Sequence, residues 1–205
     1  RAVPPRAGAG GGVTTDVRRG RPRDEAVDAA VLAAAVEELI ERGFAALSIE
    51  RVAARAGVAK TTVYRRWPSA PELAVEAMRT FEQDVRHPPE GGVRDQLVWL
   101  VEVMRRKWND PRYGAIMRRV TADGVANPDA YRQARAKLVG PHLAVLTGVL
   151  RRGVEERLIR GDADLEWVRQ MITAPIMAAT LTFKDRVSRA QVEFTVDTVL
   201  RGVAP

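Results

Sequence analysis

From Val27 onward the apolar residues of this chain recur every three or four positions, and strand-like alternation is absent. Val27, Val31, Ala34, Ala35, Leu39 and Ile40 form one such stripe. They predict a helix over about 24–42, stopped by Gly43. Ile49, Val52, Ala53 and Ala56 predict a second over about 49–56, with Ser48 as its N-cap. Gly57-Val58 reads as a tight corner, followed by a short third helix over about 59–67 that Pro68 ends. Ser69-x-x-Glu72 is a capping box opening a fourth helix, expected to reach Arg86 before Pro88-Pro89. Val93, Leu97, Leu100, Val101, Met104 and Trp108 predict a fifth over about 93–108. Asp110-Pro111 and Asn127-Pro128 each read as an N-cap followed by a proline at the first helical position. They open a sixth helix and a long seventh that runs to about Arg152. An eighth follows over about 164–182, kinked at Pro175, and Ser188-x-x-Gln191 opens a ninth to about Arg201. Nine helices and no strands make an all-α protein. A small unit is expected at 24–70 and a larger one at 71–205.

Composition narrows what such a bundle does. The sequence has no Cys and only two His, His87 and His142. Disulfides, thiolate metal sites and His cages are therefore not expected, and a reducing, cytoplasmic setting fits. No run approaches the ~20 apolar residues of a membrane span. The N-terminus lacks the apolar centre of a secretory signal. No G-x-G-x-x-G or G-K-[ST] loop, Cys nucleophile or His pair is present, so neither an enzyme nor a cofactor is expected. The net charge of +7 is unevenly spread. Residues 1–23, rich in Gly, Pro and Arg, carry six Arg against one Asp and read as a disordered basic arm. Within 49–67 five basic residues face one acid, Glu50. A polyanion partner would explain that placement, and so would a simply solvated Arg-rich surface.

The stretch RAGVAKTTVYRRWPS (55–69) weighs toward the polyanion. Two short helices joined by a Gly corner describe a helix-turn-helix, whose second helix fits the DNA major groove. Val63 and Trp67 share one face of that helix and can pack inward. Lys60, Thr61, Thr62, Tyr64, Arg65 and Arg66 can stay outside. Lys60 sits at the helix N-terminus, where phosphate is attracted. The threonines can donate to phosphate or touch a thymine methyl, and Tyr64 offers a hydroxyl and a ring. Arg65 and Arg66 can pair with phosphate or read guanine.

The run from Val31 to Leu73 resembles the N-terminal domain of TetR-type transcriptional regulators. The resemblance rests on VLAAA, then ERGFAALSIERVAARAGVAKTTVYRRWPS, then PEL. EERLIRGDADLEWVRQMITAPIM and the capped helix after it are similar to one C-terminal class of the family. The resemblance implies a homodimer on a palindromic double-stranded DNA operator. It also implies repression by promoter occlusion, relieved by a small molecule in the C-terminal domain. Carried over by position, the DNA contacts fall on Lys60, Thr61, Thr62, Tyr64, Arg65 and Arg66, with Ser48 and Arg51 as further contacts. Three residues depart from the family pattern. Ala70 stands where a phosphate-holding Lys is common, Ala59 where a Ser often caps the reading helix, and Glu38 where helix one is usually apolar. The basic arm could compensate by entering a neighbouring minor groove.

Large apolar side chains gather in helices five, six and eight. Trp99, Met104, Trp108, Tyr113, Met117, Trp167 and Met171 are candidates for a pocket that takes an apolar or aromatic effector, or for ordinary core. No buried acid or His presents itself as a selector. Helices eight and nine resemble the family's dimer pair. Ile172, Ile176, Ala179, Phe194, Val196, Val199 and Leu200 are the dimer candidates beside intramolecular core. The alternative reading is a regulator or architectural DNA protein without an effector. The long apolar C-terminal part weighs against it.

Overall fold

The computed structural model describes residues 21–82, 84–126, 128–183 and 186–205, with side chains throughout these except at 21–24, 123–135, 138 and 183. Among them run α1 (Arg21–Arg42), α2 (Ile49–Ala56), α3 (Lys60–Tyr64), α4 (Ala70–Arg79) and α5 (Val93–Asn109). Then come α6 (Pro111–Ala126), α7 (Pro128–Glu155), α8 (Leu165–Ala178), a π-helical turn (Ala179–Phe183) and α9 (Arg189–Gly202). The described residues contain no strand, so the all-α expectation stands. The arm expected at 1–23 lies largely outside the described residues, as does Asn127. Helix α1 begins at Arg21, inside the stretch given to the arm.

Besides the start of α1, the ends of α3, α4 and α8 differ from the sequence pattern. Helix α3 is shorter than expected, because Arg66 and Trp67 both direct their N–H groups at Val63 O in a closing turn. Helix α4 stops seven residues before Arg86. The N–H groups of Thr80, Phe81 and Glu82 turn back three residues instead of four, to Ala77, Met78 and Arg79. Thr80 Oγ1 also donates to Ala77 O at 2.7 Å. This tightened turn sets the Phe81 ring edge-on to Tyr113, with centroids 5.6 Å apart. Pro175 lies inside α8, as the sequence pattern places it, and Pro141 lies inside α7. The wider π-helical turn after α8 replaces the expected α-helix to 182.

Helices α1, α2 and α3 pack as one unit around Val31, Ala35, Leu39, Val52 and Val63, all fully or nearly fully buried. Helix α4 leaves this unit, packs on α1, and continues into contact with α7. In the larger part α5 is central, with α6, α7, α8 and α9 against it. Trp108, Tyr113, Leu97, Leu100, Ile116 and Leu150 are fully buried there. Each large side chain of this kind stabilises the fold by roughly 1.5–3 kcal/mol relative to exposure.

Polar clasps hold the layers in register. Arg94 grips Asp197 of α9 through two bonds of 2.6 and 2.9 Å. Asn109 and the backbone of Val187 exchange bonds of 2.8 and 3.1 Å, pinning the approach to α9. The capping box predicted at Ser188 is complete, with Gln191 answering the Ser188 N–H at 2.8 Å. Arg112 of α6 reaches Glu37 of α1 at 2.6 Å, joining the larger part to the small unit.

Candidate functional site

The corner between α2 and α3 is built entirely by backbone. Gly57 takes φ 68°, in the left-handed region. Val58 N–H bonds Ala53 O at 3.0 Å and Gly57 N–H bonds Ala54 O at 3.2 Å, the paired pattern of a Schellman motif. It lets α3 leave at an angle while Val63 plugs into the core. Ser48 caps α2 as predicted, accepting from Arg51 N–H. Ala59 supplies no side-chain cap to α3.

The predicted contact residues fall into two groups. Lys60, Thr61, Tyr64 and Arg65 are exposed, and Lys60 and Arg65 make no ion pair with described residues. Thr62 is half-buried. The others are engaged inside the unit. Arg51 Nε donates to Glu38 at 2.8 Å and its Nη2 to Ala46 O. Arg66 pairs with Asp28 of α1. Ser48 Oγ donates to Glu50 at 2.8 Å. Tyr64 is exposed but oriented, its hydroxyl donating to Glu50 Oε1 at 3.0 Å. The Glu50 N–H, Ser48 and Tyr64 hold the Glu50 carboxyl below its usual range, and the same bond to Glu50 pushes the Tyr64 phenol up.

Glu38 explains the arrangement of the arginines. It is 2% exposed, with Arg51, Arg42 and Arg55 at 2.8, 3.6 and 3.8 Å. Arg55 also spans both Glu41 oxygens at 2.7 and 2.8 Å. A buried carboxylate is tolerable only when paired in this way. The pattern departure at Glu38 is therefore an anchor that ties α2 to α1.

A cavity of about 500 Å³ lies where α4, α5, α6 and α7 meet. Val85, Val103, Met104, Trp108 and Val139 form its apolar wall, while Arg79, Glu82, Asp84, Arg86, Lys107, Tyr113 and His142 bring polar groups to it. Of the sequence candidates, Met104, Trp108 and Tyr113 line it. Trp99 is half-buried and Met117 buried, both outside this lining. Trp167 and Met171 do not reach it. They lie on the outer face of α8, with Trp167 59% exposed. The inner face of that helix is taken by Val168, Ile172 and Ile176. Ile172, Ile176 and Val196, placed among the dimer candidates, are thus buried in the chain's own core. Ala179, Val199 and Leu200 are half-buried, and Phe194 is 68% exposed.

Sequence reasoning missed Lys107 and His142. Lys107 follows Leu100, Val103 and Met104 on the buried stripe of α5, and His142 precedes Leu146 and Val149 on that of α7. A basic residue on an otherwise apolar stripe was the available signal. Burial pushes the His142 imidazole down to about 4, the nearby Lys107 charge adds to this, and a bond to the Leu100 backbone opposes it. Burial likewise lowers Lys107, with Glu82 opposing. Among the described residues no group of His, Asp or Glu could hold a metal ion, and no helix is long and apolar enough to cross a membrane.

A Schellman-cornered helix pair with an exposed basic second helix, set on a larger helical body, defines a helix-turn-helix DNA-binding protein. Residues 31–77 match the family described as bacterial regulatory proteins, tetR family, and residues 87–199 match the tetracyclin repressor-like C-terminal domain. The chain belongs to the TetR family of transcriptional regulators. It is 26% identical over 186 residues to the uncharacterized HTH-type transcriptional regulator YdeS of Bacillus subtilis, covering 91% of this chain and 94% of YdeS. It is 32% identical over 155 residues to the DNA-binding transcriptional repressor TetR of Mycobacteroides abscessus, covering 73% of this chain and 77% of that repressor. The crystal structure of the TetR family transcription regulator SCO0332 superposes with a TM-score of 0.62 at 29% identity, over 87% of this chain and 99% of that one.

Proposed function

We propose that the chain is a ligand-responsive repressor that binds a palindromic operator as a homodimer and leaves it when a small molecule fills the cavity. The observation that carries this reading is where the cavity sits. Arg79, Glu82, Asp84, Val85 and Arg86 of its wall close α4 or directly follow it, and α4 packs on α1 of the DNA-reading unit. An occupant that moves this wall moves the helix bearing on that unit. This is the differential contact that coupling between two sites requires.

Support for the homodimer comes from the surface. Leu158, Trp167, Met171 and Phe194 are four of the five large apolar side chains exposed among the described residues. They fall on α8, on α9 and on the turn before α8. Trp167 and Met171 lie one turn apart on α8, and exposed apolar surface gathered in this way marks interaction sites. The proposed interface is Trp167, Met171 and Phe194, with Ala179, Val199 and Leu200 beside them. On the DNA side Lys60, Thr61, Tyr64 and Arg65 make the direct contacts, while Ser48, Arg51 and Arg66 chiefly hold the unit together. Thr62 lies at its edge.

Selection of duplexes from a random pool tests the reading. A recovered inverted repeat, bound by two protomers and released by a compound that also raises the melting temperature, is the expected result. Equal binding to every duplex would overturn it.

A further inference from the structure

We infer that the cavity beside α4 selects a ligand with an apolar body and a single anionic group, and that Lys107 receives the anion. The inference rests on the cavity being the effector site and adds the chemistry of what enters.

The argument begins with the charges lining the cavity. Arg86 already has its partner in Asp84, through bonds of 3.0 and 2.8 Å, and Arg79 has Glu76 at 3.1 Å. Lys107 does not have an equivalent. Its side chain is only 15% exposed, and its nearest carboxylate, Glu82, stands 3.8 Å away, beyond hydrogen-bond reach. Its other neighbour is the Tyr113 ring, 4.8 Å from Nζ to the centroid. A largely desolvated ammonium with one long ion pair and one ring face retains unused donor capacity.

The surroundings restrict what can use that capacity. His142, also in the lining, has an Nε2 without a hydrogen-bond partner and is neutral near pH 7, so it adds no second positive charge. Val85, Val103, Met104 and Val139 offer apolar side chains, and Trp108 adds a largely apolar ring. With Arg79 and Arg86 already paired, one cation with spare donors beside an apolar wall matches one anion on an apolar body. A volume near 500 Å³ accommodates a molecule of two or three rings or a medium-length chain. A carboxylate, sulfonate or phosphate shares the required chemistry.

The test uses two fluorescent probes that differ by one sulfonate, 1-anilinonaphthalene-8-sulfonate and N-phenyl-1-naphthylamine, titrated into the full chain. Lys107→Met is expected to weaken the sulfonate probe by about tenfold or more and the neutral probe by less than about twofold. Lys107→Arg should retain the sulfonate probe within about threefold. Glu82→Gln, which removes the competing carboxylate, should tighten it. If Lys107→Met moves both probes equally, the anion-selection inference falls while the effector site stands. If both probes still bind after Val139→Trp, which fills the cavity, they bind elsewhere, and the inference falls with the effector-site reading.

Discussion

Arg51 and Arg65 carry the same charge a short distance apart and do different work. Arg51 is committed to the buried Glu38 carboxylate, while Arg65 has no such tie. Removing Arg51 leaves an underpaired buried acid, a loss of about 1–3 kcal/mol. Thermal melts should therefore show Arg51→Ala destabilised, and Arg65→Ala unchanged within about 0.5 kcal/mol. Operator titrations should show Arg65→Ala weakened and with a shallower salt dependence. Position within the motif could not separate the two, because Glu38 lies 13 residues before Arg51 on another helix. His142 yields a second residue-scale prediction. Its folded pKa, about 4, lies below its usual value near 6.5. The unfolded chain takes up the proton first as pH falls. The stability from keeping this ring neutral is complete above about pH 6.5 and is lost as pH falls toward 4, on the order of 2 kcal/mol. Lys107, Glu82, Asp84 and Arg86 share the cavity, and Asp84 stays charged through this window because Arg86 holds its pKa down. Chemical denaturation from pH 7.5 to 4.5 should show a smaller decline for His142→Phe than for the wild type.

Elements with a single apolar stripe were legible from sequence, and elements with two were not. Helix α2 shows one stripe and one cap, and its observed limits are those the pattern predicts. Helix α8 has two apolar stripes, Val168-Ile172-Ile176 inward and Trp167-Met171 outward. Periodicity reports both and cannot say which one the protomer keeps. Phe194→Asp, on the outer surface of α9, should leave the melting temperature nearly unchanged at low concentration and give a monomer by sedimentation. Ile172→Asp, in the core, should lose the fold, at several kcal/mol for an unpaired buried charge. The end of α4 was missed for a different reason. Its stop comes from a tightened turn and the seating of Phe81 on Tyr113, a contact 32 residues distant that no local punctuation marks. The α2–α3 corner, by contrast, announces itself through Gly57. No atom lies within 4 Å of a Cβ placed there, so Gly57→Ala brings no clash, only the left-handed backbone penalty. That penalty is about 1–2 kcal/mol, readable as a lower melting temperature.

At the scale of the molecule, helix order and helix number followed from spacing, caps and prolines. The cavity did not, because four helices build it and its two most informative residues look like interruptions of apolar stripes. The described helices join the reading unit to the larger part through α4 and through the Arg112–Glu37 bond. The Glu38 anchor bears on how this unit could be moved between proteins. A graft that begins at Ser48 and carries only α2 and α3 into another regulator would take Arg51 and Arg55 without their counter-charges. The transplantable module therefore starts upstream of Glu38. Arg66 likewise keeps its partner Asp28 only if the junction lies ahead of that residue. Hybrids spliced ahead of Asp28 should fold and retain this chain's operator preference, whereas hybrids spliced at Ser48 into a host with an apolar residue at the Glu38 position should melt lower and read DNA poorly.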